Sequence, residues 1–215
     1  LDFLVANSGN RVNLEVDFFG GEPLMNWDVV KQLVEYGRSI EEANNKKFRF
    51  TLTTNGVLLN DDILEFANKE MANVVCSIDG RKEINDKMRP FRGGQGSYDE
   101  IVPKFQKFAE SRNQDKYYVR GTFTHHNLDF SKDVLHLADM GFKQISVEPV
   151  VADNSEEYAI KEEDIPIAIF EVMFISGTFI TLYILDPVYK PLQYPLTIAF
   201  FIIMCVSNYI FPQIA

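Results

Sequence analysis

The fold of this chain is decided by residues 12–23, whose sequence is VNLEVDFFGGEP. From Leu14 to Phe18, apolar residues alternate with acidic residues, which is typical of a half-buried strand. This strand runs directly into Gly20-Gly21, where the backbone is free to turn sharply. A strand that ends in such a turn and is followed by a helix is the repeating unit of a parallel α/β fold.

The same order of strand, turn and helix recurs along the sequence. Strands are predicted at residues 12–18, 48–53, 73–78, 117–124 and 144–150, with helices between them. The charged and glycine-rich residues 81–96 are predicted to form a loop. This alternation predicts a parallel sheet with crossover helices on its outside, in a barrel or in an open doubly wound sheet. In both folds, ligands bind at the carboxyl ends of the strands.

Five strand ends are therefore candidates for a ligand site. They are Gly20 to Pro23, Thr53 to Gly56, Ser77 to Gly80, Arg120 to Thr124, and Glu148 to Val150. Glycines let the backbone approach a ligand, and the nearby hydroxyl, amide and carboxylate groups can bind it. Arg120 lies within an apolar strand, so its guanidinium needs a partner. That partner is either a protein carboxylate or a ligand carboxylate held by two hydrogen bonds.

Composition limits the class of partner. The net charge of −10 and the pI near 4.8 argue against nucleic acid binding, which needs a basic face. The two cysteines, Cys76 and Cys205, have no metal-ligand spacing, and they indicate a reducing compartment rather than a disulfide framework. Adjacent His125 and His126 would face opposite sides of a strand, which argues against a shared metal ion.

The composition changes sharply after Pro166. The charged residues beyond that point are Glu171, Asp186 and Lys190. Two apolar runs, 167–185 and 195–215, each approach the roughly 20 residues that a transmembrane helix needs. We therefore predict a soluble domain at 1–166 and an apolar helical tail at 167–215. The tail is interpreted either as two candidate membrane-spanning segments, which would make the protein membrane-associated, or as a non-native, frameshifted segment.

Three motifs occur in order at the predicted strand ends: FFGGEPL at Phe18 to Leu24, LTTNG at Leu52 to Gly56, and SIDG at Ser77 to Gly80. Together they resemble the radical SAM superfamily, and within it the peptide maturases that carry an additional cysteine-rich SPASM domain. The sequence is similar to anaerobic sulfatase maturases and to the maturases that form thioether links in six-cysteine (SCIFF-type) peptides. This resemblance covers residues 1–166.

The resemblance implies a partial (β/α)6 barrel that binds S-adenosylmethionine (SAM). The implied cofactor-binding residues are Gly20, Gly21, Glu22, Pro23, Thr54, Asn55, Ser77, Asp79, Arg120 and Val150. Within this set, Gly20 to Glu22 would bind the methionyl amino group, and Ser77 and Arg120 would hold the methionyl carboxylate. Thr54-Asn55 would lie near the nucleotide, and the backbone around Val150 near the adenine.

The function implied by the resemblance is modification of a ribosomally made, cysteine-containing precursor peptide. The expected reaction is thioether cross-link formation through a 5′-deoxyadenosyl radical, in the cytoplasm, with a [4Fe-4S] cluster and an electron donor such as a flavodoxin or a ferredoxin. The C-x3-C-x2-C loop that binds this cluster in the family is not contained in this sequence. Two alternatives stay open: an inactive SAM-domain remnant with a membrane-inserting tail, and an unrelated parallel α/β enzyme with similar turns.

Overall fold

The structure is a computed structural model that describes residues 1–185, with side chains described up to residue 176. The strands found there are β1 (Asn13–Phe18), β2 (Lys47–Thr54), β3 (Met71–Ser77), β4 (Tyr117–Phe123) and β5 (Ile145–Pro149). The α-helices found there are α1 (Asp2–Asn7), α2 (Trp27–Asn44), α3 (Asp61–Glu70), α4 (Lys82–Met88), α5 (Tyr98–Ser111), α6 (Ser131–Asp139) and α7 (Ile165–Leu185). The predicted alternation of strands and helices is therefore confirmed in this part of the chain.

The chain divides into two compact units. The first unit comprises Leu1–Ser77 and Glu100–Tyr118, and the second comprises Ile78–Asp99 and the chain from Val119 onwards. Strands β1, β2 and β3 belong to the first unit, whereas β5 and most of β4 belong to the second. The candidate residues at the strand ends are thus divided between two units.

In the first unit, β2 lies between β1 and β3 and pairs with both in parallel. The pairing runs from Asn13 opposite Lys47, at the start of β1, to Thr54 opposite Cys76, at the carboxyl end of β2. Because parallel neighbours need a long crossover connection, helices α2 and α3 fill the two connections. The carboxyl ends of neighbouring strands consequently meet at one edge of this sheet.

Aromatic side chains form the core of the first unit. Phe48, Phe50 and Leu52 occupy alternate positions on β2 and are at most 2% exposed. Helix α5 contributes Phe105 and Phe108, which are 0% exposed. Burying each of these side chains stabilises the fold by about 1.5–3 kcal/mol. The alternating pattern of β2 therefore determines which face of the sheet the helices cover.

In the second unit, β4 and β5 pair in parallel from Val119 opposite Ile145 to Phe123 opposite Pro149. Helix α6 makes the crossover between them. Alternate residues of β4 are buried, and Arg120 lies on the other face of the strand, where it is only partly covered. The face that carries Arg120 is therefore the one on which a ligand could reach it.

Helix α7 begins at Ile165, next to the point where the sequence becomes apolar, and it packs against α6. Its buried residues Ala168, Val172 and Ile175 recur at helical spacing. Among the residues that the structure describes, no helix has both the length and the hydropathy that crossing a bilayer requires. The first candidate membrane-spanning segment, at 167–185, is therefore not confirmed, and the second, at 195–215, lies outside the described residues.

The prediction of a loop at residues 81–96 is wrong in part, because α4 occupies Lys82–Met88. This helix is short and mostly charged, so its sequence carries almost no apolar periodicity. Its fully buried Asn85 accepts a hydrogen bond from Asp79 N at 3.3 Å and donates one to Ser97 Oγ at 3.1 Å. A buried amide, rather than an apolar stripe, fixes this helix to its surroundings.

We expect Gly56→Ala to destabilise the protein strongly. Gly56 has a φ of +78°, and an added Cβ would lie 2.4 Å from the ring of Phe105. Backbone strain and overlap together predict a loss of about 2–4 kcal/mol in the free energy of unfolding, measured by urea denaturation.

Gly9→Ala is the matched control for this substitution. Gly9 also has a positive φ, +55°, but an added Cβ would find no atom within 4 Å. It should lose only the backbone contribution, about 1–2 kcal/mol. Equal losses in the two variants would contradict the importance of the contact with Phe105.

Candidate functional site

The turn after β1 is built by two glycines and a proline. Gly20 and Gly21 have φ values of +94° and +55°, which is why both positions favour glycine. An added Cβ would meet no atom within 4 Å at either position, so the backbone is open on that side. Pro23 then begins a short 3-10 helix, Pro23–Asn26, whose amino-terminal cap is Glu22. The turn thus presents bare backbone next to a carboxylate.

The Glu22 carboxylate connects this turn to the end of β2. Its Oε1 accepts hydrogen bonds from Leu24 N at 3.1 Å and from Thr54 Oγ1 at 2.8 Å. Its Oε2 accepts a hydrogen bond from Asn55 N at 2.7 Å. A carboxylate can accept about four hydrogen bonds, so acceptor capacity is left for a ligand. Three residues that the sequence singled out are therefore brought together by one side chain.

Thr54 and Asn55 shape the turn after β2. Thr54 is 1% exposed, and its Oγ1 accepts a hydrogen bond from Gly56 N at 3.0 Å while it donates to Glu22. Asn55 Oδ1 accepts a hydrogen bond from Val57 N at 3.0 Å. Such side-chain bonds to backbone two residues ahead are typical of tight turns. Thr54 is thus held inside the fold, whereas Asn55 is exposed and reachable by a ligand.

In the second unit, the Asp79 carboxylate is engaged within the protein. It accepts hydrogen bonds from Arg89 Nε at 2.7 Å and Arg89 Nη2 at 2.9 Å, and its side chain is 3% exposed. Its Oδ1 also accepts a hydrogen bond from Thr122 N of β4 at 2.9 Å. A bidentate arginine pair of this kind is strong. In the structure, Asp79 therefore fixes its segment to β4, with Arg89 as its bidentate partner.

Arg120 of β4 forms an ion pair with Glu148 of the neighbouring strand β5. Arg120 Nη2 donates to Glu148 Oε1, and the two side chains remain 36% and 26% exposed. Of the two partners considered from the sequence, the structure shows the protein carboxylate. A guanidinium has five N–H donors, so Arg120 keeps donors for a second carboxylate.

The remaining candidates lie at two further strand ends. Ser77 is the last residue of β3 and is half-buried. Val150 follows β5, and its N–H donates to Phe123 O at 2.9 Å, which joins the ends of β4 and β5. Ser77 belongs to the first unit, as does the Glu22 cluster, whereas Val150 belongs to the second unit with Arg120.

A second cluster of charged side chains surrounds Arg81 in the second unit. Arg81 Nε donates to Asp133 Oδ1 at 2.7 Å, and Arg81 Nη2 donates to Asp129 Oδ1 at 2.7 Å. The hydrogen bond from Arg81 lowers the pKa of Asp129, and the hydrogen bond to Asp133 raises the pKa of Arg81. All three side chains are satisfied by one another, so the cluster fixes the start of α6 rather than offering a ligand site.

The described residues do not fit a [4Fe-4S] cluster. They hold no group of three or more His, Cys, Asp or Glu side chains that could bind a metal ion. Cys76 is 0% exposed, and burial raises the pKa of its thiol well above the ordinary value, which disfavours the thiolate that binds iron. Cys205 is the other cysteine of the chain and lies outside the described residues.

Residues 9–144 match the Radical SAM superfamily. The chain therefore belongs to this superfamily, as its motifs predicted.

Three relatives extend the comparison. An uncharacterized protein of Methanocaldococcus jannaschii is 30% identical over 74% of this chain and 54% of its own length. The radical SAM cyclopropyl synthase TigE of Paramaledivibacter caminithermalis is 27% identical over 56% of this chain and 25% of its own length. A cysteine-type anaerobic sulfatase-maturating enzyme of Clostridium novyi is 32% identical over 47% of this chain and 28% of its own length. The chain thus spans about half or less of these relatives.

Solved structures show the same fold. The structure described as native anSMEcpe with bound AdoMet and Kp18Cys peptide matches 81% of this chain and 49% of its own, with a TM-score of 0.72 and 19% identity. The same protein with bound AdoMet alone matches 83% of this chain with a TM-score of 0.70. The predicted parallel α/β fold of radical SAM proteins is thereby confirmed.

We expect Glu22→Gln to loosen the turn after β2. The amide nitrogen of glutamine cannot accept a hydrogen bond, so at least one of the three bonds is lost, at about 1–3 kcal/mol of unfolding free energy. Hydrogen exchange of the Asn55 N–H should become at least about 10-fold faster, as measured by NMR. Glu15→Gln, on β1 and 73% exposed, is the control and should change stability by less than about 0.5 kcal/mol. An unchanged Asn55 exchange rate would show that Glu22 does not hold the turn.

Proposed function

We propose that this chain is the SAM-binding part of an enzyme that modifies a ribosomally made, cysteine-containing peptide. The observation that carries the proposal is the Glu22 carboxylate, which holds two open strand-end turns together in a chain of the radical SAM superfamily. The similar solved structure holds AdoMet and a peptide, and the two relatives with named activities are a cyclopropyl synthase and a sulfatase-maturating enzyme. The bound peptide of that structure and the name of the sulfatase-maturating enzyme support a peptide as the substrate class.

The methionyl end of SAM carries an ammonium and a carboxylate, and the candidate residues of each unit, taken separately, offer groups of matching chemistry. In the first unit, the carbonyls of Gly20-Gly21 and the unused acceptor capacity of Glu22 suit the ammonium group. In the second unit, the unused donors of Arg120 suit the carboxylate. Ser77 is proposed as a further carboxylate contact, with Pro23 fixing the exit of the turn that binds the ammonium.

The nucleotide end of SAM is assigned to the other candidates. Asn55, which is exposed, and Thr54, which shapes its turn, are proposed to lie near the nucleotide. The backbone at Val150, fixed by its bond to Phe123 O, is proposed to lie near the adenine. Asp79 would contribute indirectly, because its carboxylate holds Thr122 N and Arg89.

In the proposed reaction, SAM is the source of a 5′-deoxyadenosyl radical that takes a hydrogen atom from the peptide. We propose further that the S–H bond of a peptide cysteine then breaks, its proton passes to a base and its sulfur bonds to the carbon radical, while the one surplus electron passes to an electron carrier. A flavodoxin or a ferredoxin in the cytoplasm would supply the electron that cleaves SAM. The chain's own residues bind and orient SAM in this scheme. The described residues do not supply ligands for a cluster.

A second candidate function is that of a remnant without catalysis. The observation that favours it is the cysteine content, since the chain holds two cysteines and Cys76 is buried. Calorimetry with the 215-residue chain separates the two candidates. Measurable SAM binding supports the enzyme domain, whereas no binding, even when cluster ligands are supplied in a longer form, supports the remnant.

We expect Arg120→Ala to weaken SAM binding by about 10- to 150-fold, because a charge-assisted contact worth about 1.5–3 kcal/mol is lost. Calorimetry would be performed on a cluster-loaded form that carries the family's C-x3-C-x2-C loop. The matched control is Arg49→Ala, which removes the exposed ion pair between β2 and Glu15 of β1. That variant should bind SAM like the wild type. Unchanged affinity in Arg120→Ala would remove Arg120 from the site.

The peptide reaction is tested on the same cluster-loaded form with SAM, dithionite and the Kp18Cys peptide as the probe. We expect 5′-deoxyadenosine and a modified peptide, both detected by mass spectrometry. With a deuterated peptide, deuterium should appear in the 5′-deoxyadenosine, because the radical takes its hydrogen from the substrate. Deuterium-free 5′-deoxyadenosine together with unmodified peptide would contradict peptide modification.

A further inference from the structure

The turn after β4 holds a histidine–aspartate pair that the proposed SAM contacts do not use. His125 Nδ1 lies 2.7 Å from Asp164 Oδ2. The Asp164 side chain is 4% exposed, whereas that of His125 is 39% exposed. His125 comes two residues after the last residue of β4, at the strand end where parallel α/β folds bind their ligands. A buried carboxylate thus holds one side of a reachable imidazole.

Both members of the pair are fixed by backbone contacts. His125 N donates to Tyr158 O at 3.0 Å, and Asp164 Oδ2 accepts a hydrogen bond from Lys161 N at 2.8 Å. Burial raises the pKa of Asp164, but the hydrogen bonds from Lys161 and His125 outweigh it, so the pKa is lowered. Asp164 is therefore a carboxylate at neutral pH. Thr124 and Asn127 close a capping box around the turn that carries His125.

When the imidazole is neutral, a carboxylate at Nδ1 keeps the ring proton on Nδ1. The lone pair of Nε2 is then free to accept a proton, and among residues 1–185 no hydrogen-bond partner of Nε2 is found. The neighbouring His126 differs, because it is 16% exposed and its Nε2 faces the exposed Glu157 carboxylate at 3.8 Å. Only His125 combines an oriented ring with an accessible nitrogen in this turn. This combination is what a general base requires.

We propose that His125, oriented by Asp164, is the base that accepts a proton from the thiol of the peptide substrate. In this step the S–H bond breaks, its electron pair stays on sulfur, and the proton forms a bond to Nε2. No electron is gained or lost, and the imidazolium is stabilised by the Asp164 carboxylate, which keeps its charge. His125 is the catalytic residue and Asp164 a positioning residue. The proposal rests on peptide modification as the proposed function.

The orientation of the pair is tested by NMR of the 215-residue chain, with 15N-labelled histidine. The expected result is the Nδ1–H tautomer for His125, converted to a mixture in Asp164→Asn. His126→Gln should leave the His125 signals unchanged. A wild-type His125 with its proton on Nε2, or a tautomer that does not respond to Asp164→Asn, would overturn the proposal. If Asp164→Asn fails to fold, the wild-type spectrum alone decides.

The proton transfer is tested on the cluster-loaded form with SAM and the Kp18Cys peptide as the probe. His125→Gln should form 5′-deoxyadenosine within about twofold of the wild-type rate but modify the peptide at least about 100-fold more slowly. His126→Gln is the matched control and should match the wild type in both products. Peptide modification at the wild-type rate in His125→Gln would overturn the inference alone. A wild type that forms neither product contradicts the proposed function itself, and this inference falls with it.

Discussion

The hydrogen bonds of the Glu22 carboxylate hold the turn after β1 against the end of β2, and the geometry at this edge of the sheet depends on them. Parallel pairing brings the ends of β1 and β2 to the same edge, but it does not fix the turns that follow. Two backbone N–H groups and one hydroxyl converge on this carboxylate, each contributing about 1.5–3 kcal/mol. The Gly20-Gly21 turn has no side chains, and the hydrogen bonds of Glu22 hold it in place.

In the second unit, two other carboxylates join separate segments in the same way. The Asp79 carboxylate gathers two donors from Arg89 and one from Thr122 N, and the Asp164 carboxylate gathers donors from Lys161 and His125. In each case a largely buried anion is satisfied by groups from separate segments, so removing one partner leaves the anion with fewer hydrogen bonds, at a cost in stability. Polar groups fixed in this way need no rearrangement when a charged ligand binds, which favours binding and catalysis.

The sequence predicted the elements that have a local signal. The alternation from Leu14 to Phe18 and the double glycine after it identify β1 and its turn, because period-two burial and positive φ are properties of neighbouring residues. Helix α4 was missed because its buried residue is Asn85, which an apolar pattern does not reveal. The strand ends, and with them most of the candidate site, could therefore be predicted from local sequence patterns.

The partners of the site residues could not be predicted in the same way. Glu22 and Thr54 are 32 residues apart, and His125 and Asp164 are 39 apart. Which groups come into contact depends on the register between strands and on the path of each connection. Local sequence patterns determine neither of these. For Arg120, the sequence left a protein carboxylate and a ligand carboxylate open, and the pairing of β4 with β5 brings Glu148 within reach.

The role of Glu171 in the structure differs from the one that the composition of the apolar run indicates. In the sequence it is the one charged residue of the apolar run 167–185. If this run crossed a membrane, the charge of Glu171 would only make insertion into the bilayer less favourable. In the structure its Oε2 accepts a hydrogen bond from Ser131 N at 3.1 Å, at the first residue of α6. An anion at a helix amino terminus satisfies a free N–H group and interacts favourably with the helix dipole. The charge that interrupts the apolar run is therefore a stabilising contact between α7 and α6 within the second unit.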